Sequence, residues 1–227
     1  EVVLPFIIPK GTSITTGIQE VVDYSKYDGT WTNYTIRDGL PSNNIISIAS
    51  TPDAVWCGTL KNGVGVFQNL TGSWSSITDP SMSGEKSVTS IAVGANYVWF
   101  AWKEELRNGV SRYDILQKEK PWEKWVVTEW EELVPTTRIT NSNMINVGAD
   151  DEGMWVGTDD DVLFYDHSTS SWSRPFNHPS ELRGYAPVCI LVLDDSVWFA
   201  TENGLGRLDK KLVGRVEQIR QRLQSGQ

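Results

Sequence analysis

The sequence predicts an all-β fold: a β-propeller of four four-stranded blades, followed by a short C-terminal α-helix. Three observations carry this. One strand-like phrase occurs four times, as Val55-Trp56-Cys57-Gly58-Thr59, Val98-Trp99-Phe100-Ala101, Met154-Trp155-Val156-Gly157-Thr158 and Val197-Trp198-Phe199-Ala200-Thr201, with its tryptophans 43, 56 and 43 residues apart. A second tryptophan series, Trp31, Trp74, Trp125 and Trp172, interleaves with the first. The 11 Trp and 19 Gly among 227 residues suit many short strands joined by tight turns. A period in the forties means a small sheet that cannot bury its own faces and must stack on its neighbours.

Each repeat resolves into four expected strands. Inner strands fall at residues 45–49, 88–93, 144–149 and 188–193. The tryptophan phrase is the second strand. Side chains alternate across a strand, so each Trp shares a face with the small residue two positions on (Gly58, Ala101, Gly157 or Ala200), while the other face is apolar. A strand apolar on both faces is buried on both. The small residue marks a gap where the next sheet approaches closely. Third strands fall at 63–67, 109–114, 162–166 and 204–209, each left through an Asp or Asn turn. The second tryptophan series forms the fourth strands. The fourth repeat lacks such a strand, whereas Trp31 has no complete repeat before it. The expected closure therefore lays residues 30–36 against 204–209, which removes an open sheet edge. Residues 21–28 also read as a third strand, which leaves a fifth, incomplete blade as an alternative. The expected organisation is an N-terminal extension over 1–20, the propeller over 21–210 and a helix or connector over 211–227. In that last segment Leu212, Val216, Ile219 and Leu223 form a helical stripe.

Composition excludes some functions. The net charge of −9, from 20 basic and 29 acidic residues, argues against nucleic-acid backbones and anionic membranes. No apolar run is long enough to cross a membrane. Residues 2–8 are too short and lack the basic leader of an intact signal peptide; the start at Glu1 suits a trimmed terminus. Cys57 and Cys189 are both expected as small buried hydrophobes, too far apart to pair. No Cys/His metal spacing occurs, and neither a metal nor a cofactor is expected. The two short glycosylation patterns begin at Asn33 and Asn69.

The stretch from Trp31 through Asp38-Gly39-Leu40-Pro41-Ser42-Asn43 to Ala49, with Trp56-Cys57-Gly58-Thr59 and Gly63–Phe67 after it, resembles the repeat of two-component-regulator propellers. The third repeat keeps Trp155-Val156-Gly157-Thr158 and Tyr165-Asp166. The second has Trp102 in place of Thr, with an insertion over 118–143; the fourth has Ala200 in place of Gly. The resemblance spans residues 27–209. It implies an extracytoplasmic sensing or binding module, although the membrane helix and kinase of that family's large sensors are not seen here.

Candidate chemistry is sparse. His167 and His178 lie in expected surface turns. The acidic runs at 150–152 and 159–161 read as hairpin turns, because neither has calcium-loop spacing. The loops expected to converge on one face gather Arg37, Asp38, Asn43 and Asn44; Lys61 and Asn62; Lys103, Glu104, Glu105 and Arg107; Arg138, Asn141 and Asn143; the acidic run at 159–161; and Glu202 and Asn203. This mixed rim suits a protein partner or a polar small molecule. Trp122 and Trp130 in the insertion, and Val216 and Ile219 in the C-terminal stripe, are further candidate contacts. Three functions follow: a non-enzymatic binding or scaffold propeller engaging a protein partner, as a single module or a subunit of a larger complex; a ligand-sensing propeller of a two-component system; or a propeller lyase, which would favour a His pair with a metal.

Overall fold

The computed structural model describes residues 32–77, 86–94, 96–104, 107–116, 122–126, 146–158, 161–173, 176–177 and 187–211. The described residues form four antiparallel meanders in chain order. The first sheet runs β1 (Ile45–Ser50), β2 (Ala54–Thr59), β3 (Val64–Gln68) and β4 (Ser73–Ser76). The second runs β5 (Ser87–Val93), β6 (Tyr97–Glu104), β7 (Arg107–Asp114) and β8 (Trp122–Val126). In the third, β9 (Asn146–Ala149), β10 (Gly153–Gly157), β11 (Asp161–Asp166) and β12 (Ser171–Trp172) follow in order, and β13 (Phe176–Asn177) also pairs with β11. The fourth has three described strands, β14 (Cys189–Val192), β15 (Ser196–Thr201) and β16 (Gly204–Asp209).

The repeated phrase forms the interfaces between sheets. In β2, β6 and β10 the tryptophan points at the following sheet. Trp56 meets Phe100 at 5.7 Å and Tyr113 at 5.0 Å between ring centroids. Trp99 meets Tyr165 at 5.6 Å. Trp155 joins the cluster that holds Val197 and Phe199. All three tryptophans are buried. The small residue beside the Trp does what its size predicts: a Cβ on Gly58 would lie 2.5 Å from the Val88 carbonyl oxygen, and one on Gly157 would lie 2.5 Å from the Pro187 ring.

Polar seams join the inner strands at the same level. Ser47 Oγ donates to the Val88 carbonyl at 2.7 Å. Ser90 Oγ donates to the Val147 carbonyl and accepts from its N–H, both at 3.3 Å. Asn146 Nδ2 donates to the Pro187 carbonyl at 2.6 Å. These groups lie in close-packed surroundings where an unpaired donor would be costly, so each bond also fixes the register of one sheet against the next.

Four expectations are corrected. Trp198 is half-buried where full burial is expected, because its face of β15 points away from the third sheet; Arg207 lies 5.8 Å from the centre of its ring. Cys189 is exposed, because it shares that face through its pairing with Ala200. β14 therefore buries one face only: Ile190 and Val192 pack toward the third sheet, while Leu191 is exposed. The closing strand over 30–36 is not present in its described part. There Thr35 caps a 3-10 turn, Ile36–Asp38, with the Asp38 carboxylate accepting from the Thr35 N–H at 2.8 Å, and Gly39 at φ 102 ends it. The positive φ explains glycine after the aspartate, since an L side chain is strained there. Among the described residues β16 has no fourth strand on its outer edge. The 1–20 extension, the candidate strand over 21–28 and the C-terminal stripe over 212–223 lie outside the described residues.

Candidate functional site

Each sheet has two ends, and the inter-sheet seams align them. At one end sit the starts of β1, β5, β9 and β14 and the turns between second and third strands. Lys61 and Asn62 occupy the β2–β3 turn and are exposed; the Asn62 N–H donates to Thr59 Oγ1 at 2.8 Å, and Thr59 Oγ1 donates to the Gly63 carbonyl at 2.9 Å. This buried threonine holds the turn while leaving both side chains in solvent. Thr201 repeats the device in the β15–β16 turn, donating to the Gly204 carbonyl at 3.0 Å and accepting from the Asn203 N–H at 3.2 Å, with Glu202 and Asn203 exposed. Asn43 and Asn44 lead into β1; Asn43 Oδ1 accepts from the Ile36 N–H at 2.9 Å beside exposed Arg37 and Asp38, and the Asn44 carbonyl accepts from Leu60 N–H at 3.0 Å. Arg107 starts β7 at this end, paired in register with Glu104.

Part of this end is structural. Lys86 is buried, pairs with Glu104 at 3.7 Å and lies 5.6 Å from the Trp102 ring centre. Trp102 stands where the repeat pattern has threonine; it is buried and its Nε1 donates to Ser111 Oγ at 2.9 Å. Sequence reasoning missed Lys86, although a Trp in place of the turn threonine was a signal that this position had gained a new partner.

Trp122 belongs to the opposite end, where β8 pairs it with Tyr113. Trp122 and the rim therefore fall at opposite ends of the second sheet. At this end a cleft of about 310 Å³ runs between the first two sheets, lined by Thr51, Asp53, Trp56, Gln68, Tyr113 and Ile115 among others. Arg138, Trp130, Val216 and Ile219 lie outside the described residues, as does His178.

His167 corrects the surface-turn expectation. Its ring stacks on Trp99 at 5.6 Å and lies 4.9 Å from Tyr97, and both ring nitrogens are buried without a hydrogen-bond partner. Arg112 lies over the same group, 4.4 Å from the Tyr97 ring centre and 5.5 Å from that of Trp99. Sequence spacing could not show this, because Tyr97, Trp99 and Arg112 come from the second sheet and His167 from the third. Burial first, and then the Arg112 charge, lower the His167 pKa below its ordinary value, against the pull of Asp150, Asp166 and Asp151. The imidazole is thus neutral in the fold near neutral pH. A lowered folded-state pKa means that the unfolded chain binds the extra proton first, so this contribution to stability is complete above about pH 6.5 and is lost as pH falls toward the lowered value. Replacing His167 with Phe keeps the stack and removes the titration; the variant should lose less melting temperature than the parent between about pH 7.5 and about pH 5.

Two further groups bear on chemistry. Burial pushes the Cys57 thiol up to about 11, which leaves it unreactive at neutral pH. Lys210 pairs with Asp150 and lies 3.6 Å from Glu152, tying the fourth sheet to the third. Among the described residues no group of three or more His, Cys, Asp or Glu side chains is placed to hold a metal ion, and no helix is long and apolar enough to cross a membrane.

No protein-family model and no curated protein matches the chain. Solved structures define the class of fold. The beta-propeller domain of Cps50 (Swd1) from Myceliophteria thermophila matches with a TM-score of 0.53 at 13% identity, over 76% of this chain and 54% of that one. The extracellular domain of the hybrid two-component system BT4673 from B. thetaiotaomicron matches with a TM-score of 0.53 at 17% identity, over 72% of this chain and 20% of that one. The computationally designed Ika4 protein matches with a TM-score of 0.50 at 18% identity, over 73% of this chain and 90% of that one. The described sheets are blades of the propeller type. The chain spans about half the length of the Swd1 domain and a fifth of the sensor domain.

Proposed function

We propose that this chain is a non-enzymatic binding module that engages a protein partner through the end bearing the β2–β3 and β15–β16 turns. One observation carries this reading: the turns of separate sheets stand at one end of a rigid scaffold, pinned from below by Thr59 and Thr201, with side chains of both signs in solvent. A pre-organised polar surface of this kind loses little entropy on binding, and charge complementarity selects the partner. Extracytoplasmic sensing is the second reading. It rests on the Asp38-Gly39-Leu40-Pro41-Ser42-Asn43 resemblance and on the likeness to extracellular domains of two-component systems, and it makes the rim a receptor for a polar ligand.

The test is the double variant Lys61→Glu with Glu202→Lys, both exposed. Partner copurification from the native host should fall at least about tenfold with melting temperature unchanged. The same partner retained at full yield by the folded double variant removes the rim from the function.

A further inference from the structure

The cleft between the first two sheets has a filled counterpart at each of the next two interfaces. Trp56, Trp99 and Trp155 stand opposite Val66, Arg112 and Phe164 in their own sheets. Two residues before these tryptophans come Ala54, Tyr97 and Gly153. Alternation puts all three positions of a sheet on one face, the face turned to the next sheet. Beyond the third strands, Ile115, His167 and Lys210 also correspond. Each donates its backbone N–H to a carbonyl of its own sheet's first hairpin turn, that of Asn96, Glu152 or Asp195, at 2.9, 3.0 and 3.0 Å.

What lies beside the indole differs. At Trp99 it is a cation among aromatic rings: the Arg112 guanidinium is 4.4 Å from the Tyr97 ring centre, 5.5 Å from that of Trp99 and 5.7 Å from that of Tyr165. At Trp155 it is the Phe164 ring, at 4.5 Å, which also takes the space a Cβ on Gly153 would need. At Trp56 the same two positions carry Ala54 and Val66, and the cleft of about 310 Å³ opens there. The aromatic pair is kept, with Trp56 and Tyr113 at 5.0 Å where Trp99 and Tyr165 are at 5.6 Å. Among the described residues lining the cleft there is no Lys or Arg, and the one charged side chain is Asp53, which is exposed.

We propose that this cleft receives an arginine side chain of a partner polypeptide. The second interface shows which group a Trp–Tyr pair of this fold accommodates, and the first adds a carboxylate where that group would enter. A guanidinium is planar, stacks on aromatic faces and is weakly hydrated, so it enters such a slot more readily than the strongly hydrated ammonium of lysine. The volume lies at the lower bound of ligand pockets, which start at about 300 Å³, and suits one side chain. The net charge of −9 draws a cationic segment toward the chain. The cleft lies at the end opposite the Lys61 and Glu202 turns, so the proposal stands apart from the rim.

The test is a titration of the whole chain with acetyl-Gly-Arg-Gly-amide, followed by NMR at the Trp56 indole and the Ile115 amide. Shifts should saturate with a Kd of about 1 mM or tighter. The same peptide with Lys or Phe in place of Arg should bind at least about fivefold more weakly. Asp53→Asn should weaken the Arg peptide at least about threefold. Ile115→Arg should weaken it at least about tenfold, because the chain then supplies the guanidinium from the position where its neighbours carry His167 and Lys210. Both substitutions fall at exposed positions, and circular dichroism checks that each variant is folded. Lys61→Glu with Glu202→Lys should bind the peptide as the parent does. Shifts that fail to saturate by about 10 mM overturn the proposal. So do equal binding of the Lys or Phe peptide, an unchanged Kd in Asp53→Asn, and loss of binding in the rim variant. Free L-arginine bound as tightly as the peptide would make the occupant a small molecule and overturn the polypeptide partner.

Discussion

Replacing Trp99 with Ala is expected to cost about 3–5 kcal/mol, among the largest losses any single position can cause. The indole is fully buried between the second and third sheets, and its removal leaves a cavity bounded by Tyr165, the His167 ring and Arg112. All three come from rigid strands or their ends, so the site collapses poorly and the cavity persists. Arg112 and His167 also lose the ring they rest on. Trp198→Ala removes the same atoms at the corresponding position of the fourth repeat, where the ring is only half-buried, and should cost on the order of 1–2 kcal/mol. Urea midpoints of the two variants measure the contrast. Equal losses would mean that Trp198 is covered as fully as Trp99.

Gly58→Ala is expected to be the next most damaging, at roughly 1–3 kcal/mol, despite adding a single methyl group. The new carbon would stand 2.5 Å from the Val88 carbonyl oxygen and 2.8 Å from the Val88 Cβ. The first of these is backbone in the neighbouring sheet, so relief requires the two sheets to part, which strains the Ser47–Val88 hydrogen bond as well. Gly72→Ala is the control. A Cβ there meets nothing within 4 Å, and its cost comes only from the positive φ of 63, roughly 1 kcal/mol. Thermal melts of the pair separate steric conflict between sheets from local backbone strain. A Gly58 variant as stable as the Gly72 one would place the sheets farther apart than described.

The sheets were legible because their demands recur. A large residue, a small one two positions on and apolar neighbours between them are required at every interface, so four copies of Trp-x-Gly or Trp-x-Ala revealed both strand and buried face. The third strands were legible for the same reason, and β16 matches residues 204–209. What the sequence hid is what happens once. Leu191 and Leu193 read as buried because their stretch is apolar throughout, yet among the described residues no following sheet covers that side of β14. Cys189 shares that error. The Lys86–Glu104 pair on Trp102 and the His167–Arg112 aromatic group each join residues from separate loops or sheets, and pairings of that kind leave no periodic trace. Lys61, Asn62, Glu202 and Asn203 fall in turns because turn chemistry places them there, and the threonines that hold each turn leave their side chains exposed.

Among the described residues each sheet is woven from one contiguous stretch of chain, and the main contacts between sheets join neighbours in chain order. Stability therefore adds along a line, with each sheet's own strength joined to its neighbours' grip. Among the described residues the second and third sheets pack against another sheet on both flanks, and the first and fourth on one. Opening then proceeds from the ends inward, and the second and third sheets set the slowest amide exchange in the molecule. Pairing of sequence neighbours also keeps loop closures short, which lets the blades assemble in succession without waiting for distant segments to meet.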